Sequence, residues 1–167
     1  PDEHAGGSVR PTGPAIDLHP IEFGVSPHAT DVIAQASATQ EQLGAALDIV
    51  AWFADWTQPF PAHAARTAAD NGWTPAVYWE PWNHAAGGSQ PDYDARAIAL
   101  GAHDEYVRRW AADARAHAGP LLVVFAPEMN SASSSWAPRS ADGAAAFVDA
   151  WRHVRSIFRA EGAENVR

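Results

Sequence analysis

The chain has 167 residues, with 11 basic side chains, all of them arginine, against 20 acidic ones, a net charge of −9. Cysteine is absent, which excludes a disulfide scaffold, a thiol enzyme and a cysteine zinc site. An acidic chain lacks the clustered cations that follow a nucleic-acid backbone. The longest apolar run, Pro120–Pro127, has strand length and falls short of the roughly 18 residues of a membrane span. Neither nucleic acid nor a membrane is therefore an expected partner. With 47% hydrophobic and 19% charged residues, the composition is that of a globular protein large enough for one real core.

Residues 1–20 are rich in Pro, Gly, Ser and His without periodicity, which predicts a linker or tail. The domain is expected over residues 21–167. Ile21–Ser26 is a short predicted strand. Asp31–Leu47 is helix-like, with Thr30 or Asp31 as N-cap. Asp48–Phe53 is a strand, and Pro61–Asn71 an alanine-rich helix stopped at Asn71-Gly72. Thr74–Trp79 is the next strand. Asp92–Ala118 is helical in one or two pieces, with Ile98, Ala102, Tyr106 and Trp110 on one face. Leu121–Phe125 is a strand. Ser140–Glu161 is the strongest helix, because Phe147, Trp151, Val154 and Phe158 recur at helical steps. Asn165–Val166 resembles the start of another strand.

This alternation predicts an α/β fold with a parallel sheet, since strands that are solidly apolar are buried on both faces. Two architectures fit, an open doubly wound sheet or a (β/α)8 TIM barrel. No glycine-rich phosphate loop follows a strand, which weakens the nucleotide-binding version. In a barrel, functional groups collect at the C-terminal ends of the strands. There this chain places Asp55 and Trp56, then Trp79, Glu80, Pro81, Trp82, Asn83 and His84, then Glu128, Met129, Asn130 and Trp136. Tryptophan faces stack on sugar rings, carboxylates and amides bond hydroxyls, and glycosidic cleavage needs a carboxylic acid at the bridging oxygen. Trp52, Trp110 and Trp151 read instead as core. Glu128 carries the strongest functional signal, because a carboxylate after five apolar residues and a proline is costly unless paired or used. The eight histidines are scattered without a ligand pair, so no metal or cofactor is expected.

Pro127-Glu128-Met129-Asn130 followed by Trp136 resembles the acid/base motif of glycoside hydrolase family 26, the β-mannanase-like retaining glycosidases. Phe23–Pro27, Trp52–Trp56, Trp79–Pro81, Ile98–Tyr106 and Ala150–Arg167 line up with successive elements of that family in order. The resemblance implies a TIM barrel of which about the first four βα units are present. It implies Glu128 as general acid/base, with Trp56, Trp79, Glu80, Trp82, His84, Asn130 and Trp136 as substrate-binding residues for a β-linked polysaccharide such as β-mannan. The chain departs from the family at Pro127, where a histidine is usual, and at Val124, where an arginine is usual. The nucleophilic glutamate belongs on a later strand, so the fragment by itself is expected to be inactive and prone to self-association through its open edges. The alternative is a carbohydrate-binding relative without cleavage. A secreted location follows from the substrate class.

Overall fold

The computed structural model describes residues 22–131 and 133–167. The predicted linker and the first residue of the first strand, Ile21, lie outside the described residues. The elements are β1 (Gly24–Val25), α1 (Val32–Leu43), β2 (Ile49–Asp55), α2 (Ala62–Asp70), β3 (Thr74–Glu80), α3 (Ala95–Ala99), α4 (Asp104–His117), β4 (Leu122–Phe125) and α5 (Ala141–Ala160). A 3-10 turn at Pro91–Tyr93 precedes α3. The long predicted helical segment is thus three pieces, broken where Gly101 takes a left-handed backbone. The first predicted helix also ends earlier than Leu47. Asp31 caps it by accepting from the Ala34 N–H at 3.0 Å, and Gly44 stops it at φ 62°.

All four strands are parallel and lie in the order β1-β2-β3-β4. The chain's last residues continue the series: Leu121 bridges Val166 in parallel, and the Arg167 N–H donates to the Leu121 carbonyl at 2.9 Å. Among the described strands no order reversal occurs, whereas a doubly wound sheet turns back at a switch point. Right-handed crossovers in one direction put the helices on one face of the sheet. The architecture is a mixed α/β fold with a four-stranded parallel sheet, compatible with a partial α/β barrel.

Register assigns the faces. Trp52 pairs with Val77, and Ala54 with Trp79, which in turn pairs with Phe125. This set faces the helices: Trp79 packs on Trp110 of α4 and Phe158 of α5, and Phe125 stacks on Phe147 of α5. The alternate set, Phe53, Tyr78 and Val124 in one row and Asp55 beside Glu80 at the end, points the other way. Phe53 and Tyr78 stack at 4.8 Å between ring centroids, yet Phe53 and Val124 remain substantially exposed. At the approach of β1 to β2, a Cβ on Gly24 would lie 2.8 Å from that of Ile49, so glycine is what lets the strands come this close.

On α5 the predicted stripe is right for Phe147, Val154 and Phe158, which are buried, and wrong for Trp151, which is 44% exposed. Trp151 sits at the sheet edge on a groove of about 530 Å³ that Val123, Phe125, Phe158 and Val166 also line, with the Arg155 guanidinium over its ring. Trp110, by contrast, is fully buried, with Phe60 edge-on at 5.0 Å, and its indole nitrogen has no hydrogen-bond partner among the described residues. Its contribution is packing alone. Trp110→Ala is expected to cost about 3–5 kcal/mol, read as a lower urea midpoint at unchanged slope; a loss under 1 kcal/mol would show that this core is not the one that closes the fold.

Candidate active site at the strand ends

The site is built where β2, β3 and β4 stop. Asp55, the last residue of β2, is a buried carboxylate. One of its oxygens accepts from the Thr57 N–H at 2.9 Å and from the Thr57 hydroxyl, and the other accepts from the His84 N–H at 3.1 Å. Burial is the largest single influence on this carboxyl and pushes its pKa up. The Thr57 hydroxyl, the His84 and Thr57 N–H groups and the nearby His84 charge together outweigh it, and the carboxyl ends below its ordinary value. The backbone strengthens the same join, because the Trp56 N–H reaches the carbonyls of Glu80 and Trp82, each at 3.1 Å.

Glu80 ends β3. Its carboxylate lies 2.7 Å from Nε2 of His84, and its side chain is largely covered, whereas that of His84 is half exposed. The loop that carries His84 is stapled by Gln90, a buried amide that accepts from the Asn83 N–H at 2.7 Å and donates to the Asn83 carbonyl at 2.8 Å. A cavity of about 430 Å³ opens beside this cluster, lined among others by Trp52, Phe53, Asp55, Gln58 and His84. Its size falls in the range of small-ligand pockets. The larger groove at the Trp151 edge lies among α5 side chains, away from these carboxylates.

Glu128 follows β4 in the turn Ala126-Pro127-Glu128. It is exposed, with a left-handed backbone at φ 52°. Its carbonyl accepts from the Ser131 N–H at 2.7 Å. Met129 and Asn130 are exposed beside it. A chain of contacts joins this turn to β3: the Trp136 indole N–H donates to the Pro127 carbonyl at 2.7 Å, Trp136 meets Trp82 edge-on at 5.9 Å, and Trp82 meets His84 at 4.5 Å.

The predicted site residues therefore divide. Glu80, Trp82 and His84 form one contacting group, and Glu128 and Asn130 are accessible on the neighbouring strand end. Trp56, Trp79 and Trp136 are interior, at 4%, 0% and 3% exposure. The Trp56 and Trp79 rings face each other at 4.8 Å and both touch Tyr106, and the Trp136 ring is braced by Trp82. Rings covered in this way offer no open face for a sugar to stack on. The sequence placed Asp55 at the rim without giving it a part in the site, and it gave no sign of Gln90. A signal existed for Asp55: an acid ending an apolar strand, with Thr57 two residues on, is the pattern of a side chain that bonds its own following backbone. Among the described residues, no three His, Asp or Glu side chains gather closely enough to hold a metal ion.

Asp55 generates a pH prediction. A carboxyl depressed by folding adds stability above about pH 4, and that stability is lost as the pH falls through its folded pKa. Asp55→Asn is expected to lower stability by about 1–3 kcal/mol at pH 7, with the gap to wild type closing below about pH 4. Urea titrations at pH 7 and pH 3 measure it. An equal gap at both values would rule out the charge as the cause.

No protein-family model matches the chain. It is 31% identical over 133 residues, 77% of its length, to Endoglucanase H of Acetivibrio thermocellus. The aligned part is 14% of that relative's length, so the chain spans a small portion of the protein it matches. The chain is thus a distant homologue of a glycoside hydrolase, and at that coarse level its likeness is to a glycosidase.

Proposed function

We propose that the chain forms part of the catalytic unit of an endo-acting glycoside hydrolase, with Glu128 as the general acid/base. The observation that carries this reading is the placement of an exposed carboxylate just past β4, one strand from the Glu80–His84 pair, in a homologue of an endoglucanase. In the first step Glu128 would give its proton to the oxygen bridging two sugars. In the second it would take a proton from the attacking water. Glu80, His84, Trp82 and Asn130 would meet the hydroxyls and one ring face. The motif resemblance supports a family 26 barrel with a retaining mechanism and a β-mannan or related β-glucan as substrate. Retention requires a second carboxylate about 5–5.5 Å from the first, and the resemblance assigns that nucleophile to a later strand. Such polysaccharides lie outside the cell, so the site of action would be extracellular.

A second reading, binding without cleavage, draws on Pro127 and Val124 standing where the family carries histidine and arginine. One substitution separates the two. In the polypeptide carrying this chain, Glu128→Gln is expected to lower reducing-end release from soluble β-mannan or β-glucan by about 10²–10⁴-fold, while binding of the same polymer persists. Unchanged hydrolysis would remove Glu128 from the acid role. Binding with no hydrolysis in either form would favour the second reading.

A further inference from the structure

The turn that presents Glu128 is strained on both sides of a proline. Ala126 and Glu128 have φ of 51° and 52°, and neither is a glycine. In this left-handed region the Cβ crowds the following carbonyl, so such residues persist only where the surroundings enforce them. Three hydrogen bonds do so here. The Ala126 N–H donates to the Trp79 carbonyl at 3.0 Å, the Ser131 N–H donates to the Glu128 carbonyl at 2.7 Å, and the Trp136 indole N–H donates to the Pro127 carbonyl at 2.7 Å. The last is buried and grips the peptide unit that leads directly into Glu128. Pro127 has no N–H, so this carbonyl is its one backbone polar group. The residue is buried, and losing the partner would leave a desolvated acceptor.

We propose that Trp136 is a positioning residue: its indole N–H clamps the Pro127 carbonyl and thereby sets the direction in which Glu128 presents its carboxylate. This role replaces sugar stacking for Trp136, whose ring is covered by Trp82 and the interior. Its catalytic consequence rests on the reading of Glu128 as acid/base, whereas its structural part does not.

The test removes the N–H and keeps the bulk. Trp136→Phe, and a second chain in which residue 136 is 3-benzothienylalanine, are compared with wild type by NMR on the full chain. The second variant retains the ring area should the first fail to fold. In both, the φ-dependent HN–Hα coupling and the Cα shifts of Ala126 and Glu128 are expected to move away from left-handed values. Ala126→Gly, which tolerates that backbone without strain, is expected to restore part of the shift at Glu128. Unmoved Glu128 signals in the benzothienylalanine chain would overturn the clamp. In the polypeptide carrying this chain, Trp136→Phe is expected to lower kcat about tenfold or more with KM within about twofold, and to add nothing in the Glu128→Gln background. A raised KM at constant kcat would make Trp136 a sugar-binding ring and overturn the proposal. Full turnover by Glu128→Gln alone would instead sink the acid/base reading, with the NMR result still deciding the clamp.

Discussion

Burial of one indole ring organises the strand ends. Trp79 is wholly enclosed, and its contacts come from the loop after β2, from β4, from α4 and from α5. Its ring lies against Trp56 after β2, Trp110 of α4 and Phe158 of α5. Its N–H donates to the Tyr106 hydroxyl at 3.1 Å, and that hydroxyl donates in turn to the Gln58 carbonyl at 2.7 Å. Burial holds the Tyr106 phenol well above its ordinary pKa, so it remains a donor at any physiological pH. The Trp79 carbonyl meanwhile accepts from Ala126, where β4 gives way to the Glu128 turn. An aromatic ring of this size removes much apolar surface from water. Here that free energy is spent fixing the relative heights of three strand ends.

Above this aromatic layer the three carboxylates have separate fates. Asp55 is buried and accepts three hydrogen bonds, so it anchors the loops after β2 and β3 to each other. Glu80 is largely covered and shared with His84. Glu128 is exposed. The gradient runs from a group whose charge is committed to structure to one that solvent or a ligand can reach. A catalytic acid needs this arrangement, because its proton must be transferable while its neighbours stay put.

The fold was legible because both signals it needs are local. Apolar runs of strand length alternate with helical stretches, and their parallel order follows from crossover chemistry. Which face each strand residue takes was not legible. Trp79 and Glu80 are adjacent and both end β3, yet the pleat sends them to opposite sides. Strands apolar on both faces carry no alternation to say which side meets the helices, so Trp79 read as a rim residue and proved to be core. Trp56 and Trp136 misled in the same way, since position along a strand or loop fixes height but not direction. Trp151 shows the converse. Its helical spacing is that of a core stripe, but it lies over the sheet edge, 44% exposed, with the Arg155 guanidinium rather than the core on its ring. Glu128 escaped the ambiguity because it lies past the strand, in a turn of its own. Its exposure goes with a left-handed backbone that the sequence, with alanine and glutamate at those positions, did not announce.

The proposed function has sugars meeting this chain at the ends of β3 and β4. NMR titration of the isotope-labelled chain with β-linked manno- and gluco-oligosaccharides tests it most directly, with no demand that the chain turn over substrate. The shifts expected to move are those of Glu80, Trp82, His84, Glu128 and Asn130, with Trp151 still. Movement confined to the groove around Trp151 and Phe158, or to the exposed Phe53–Val124 face, would contradict it.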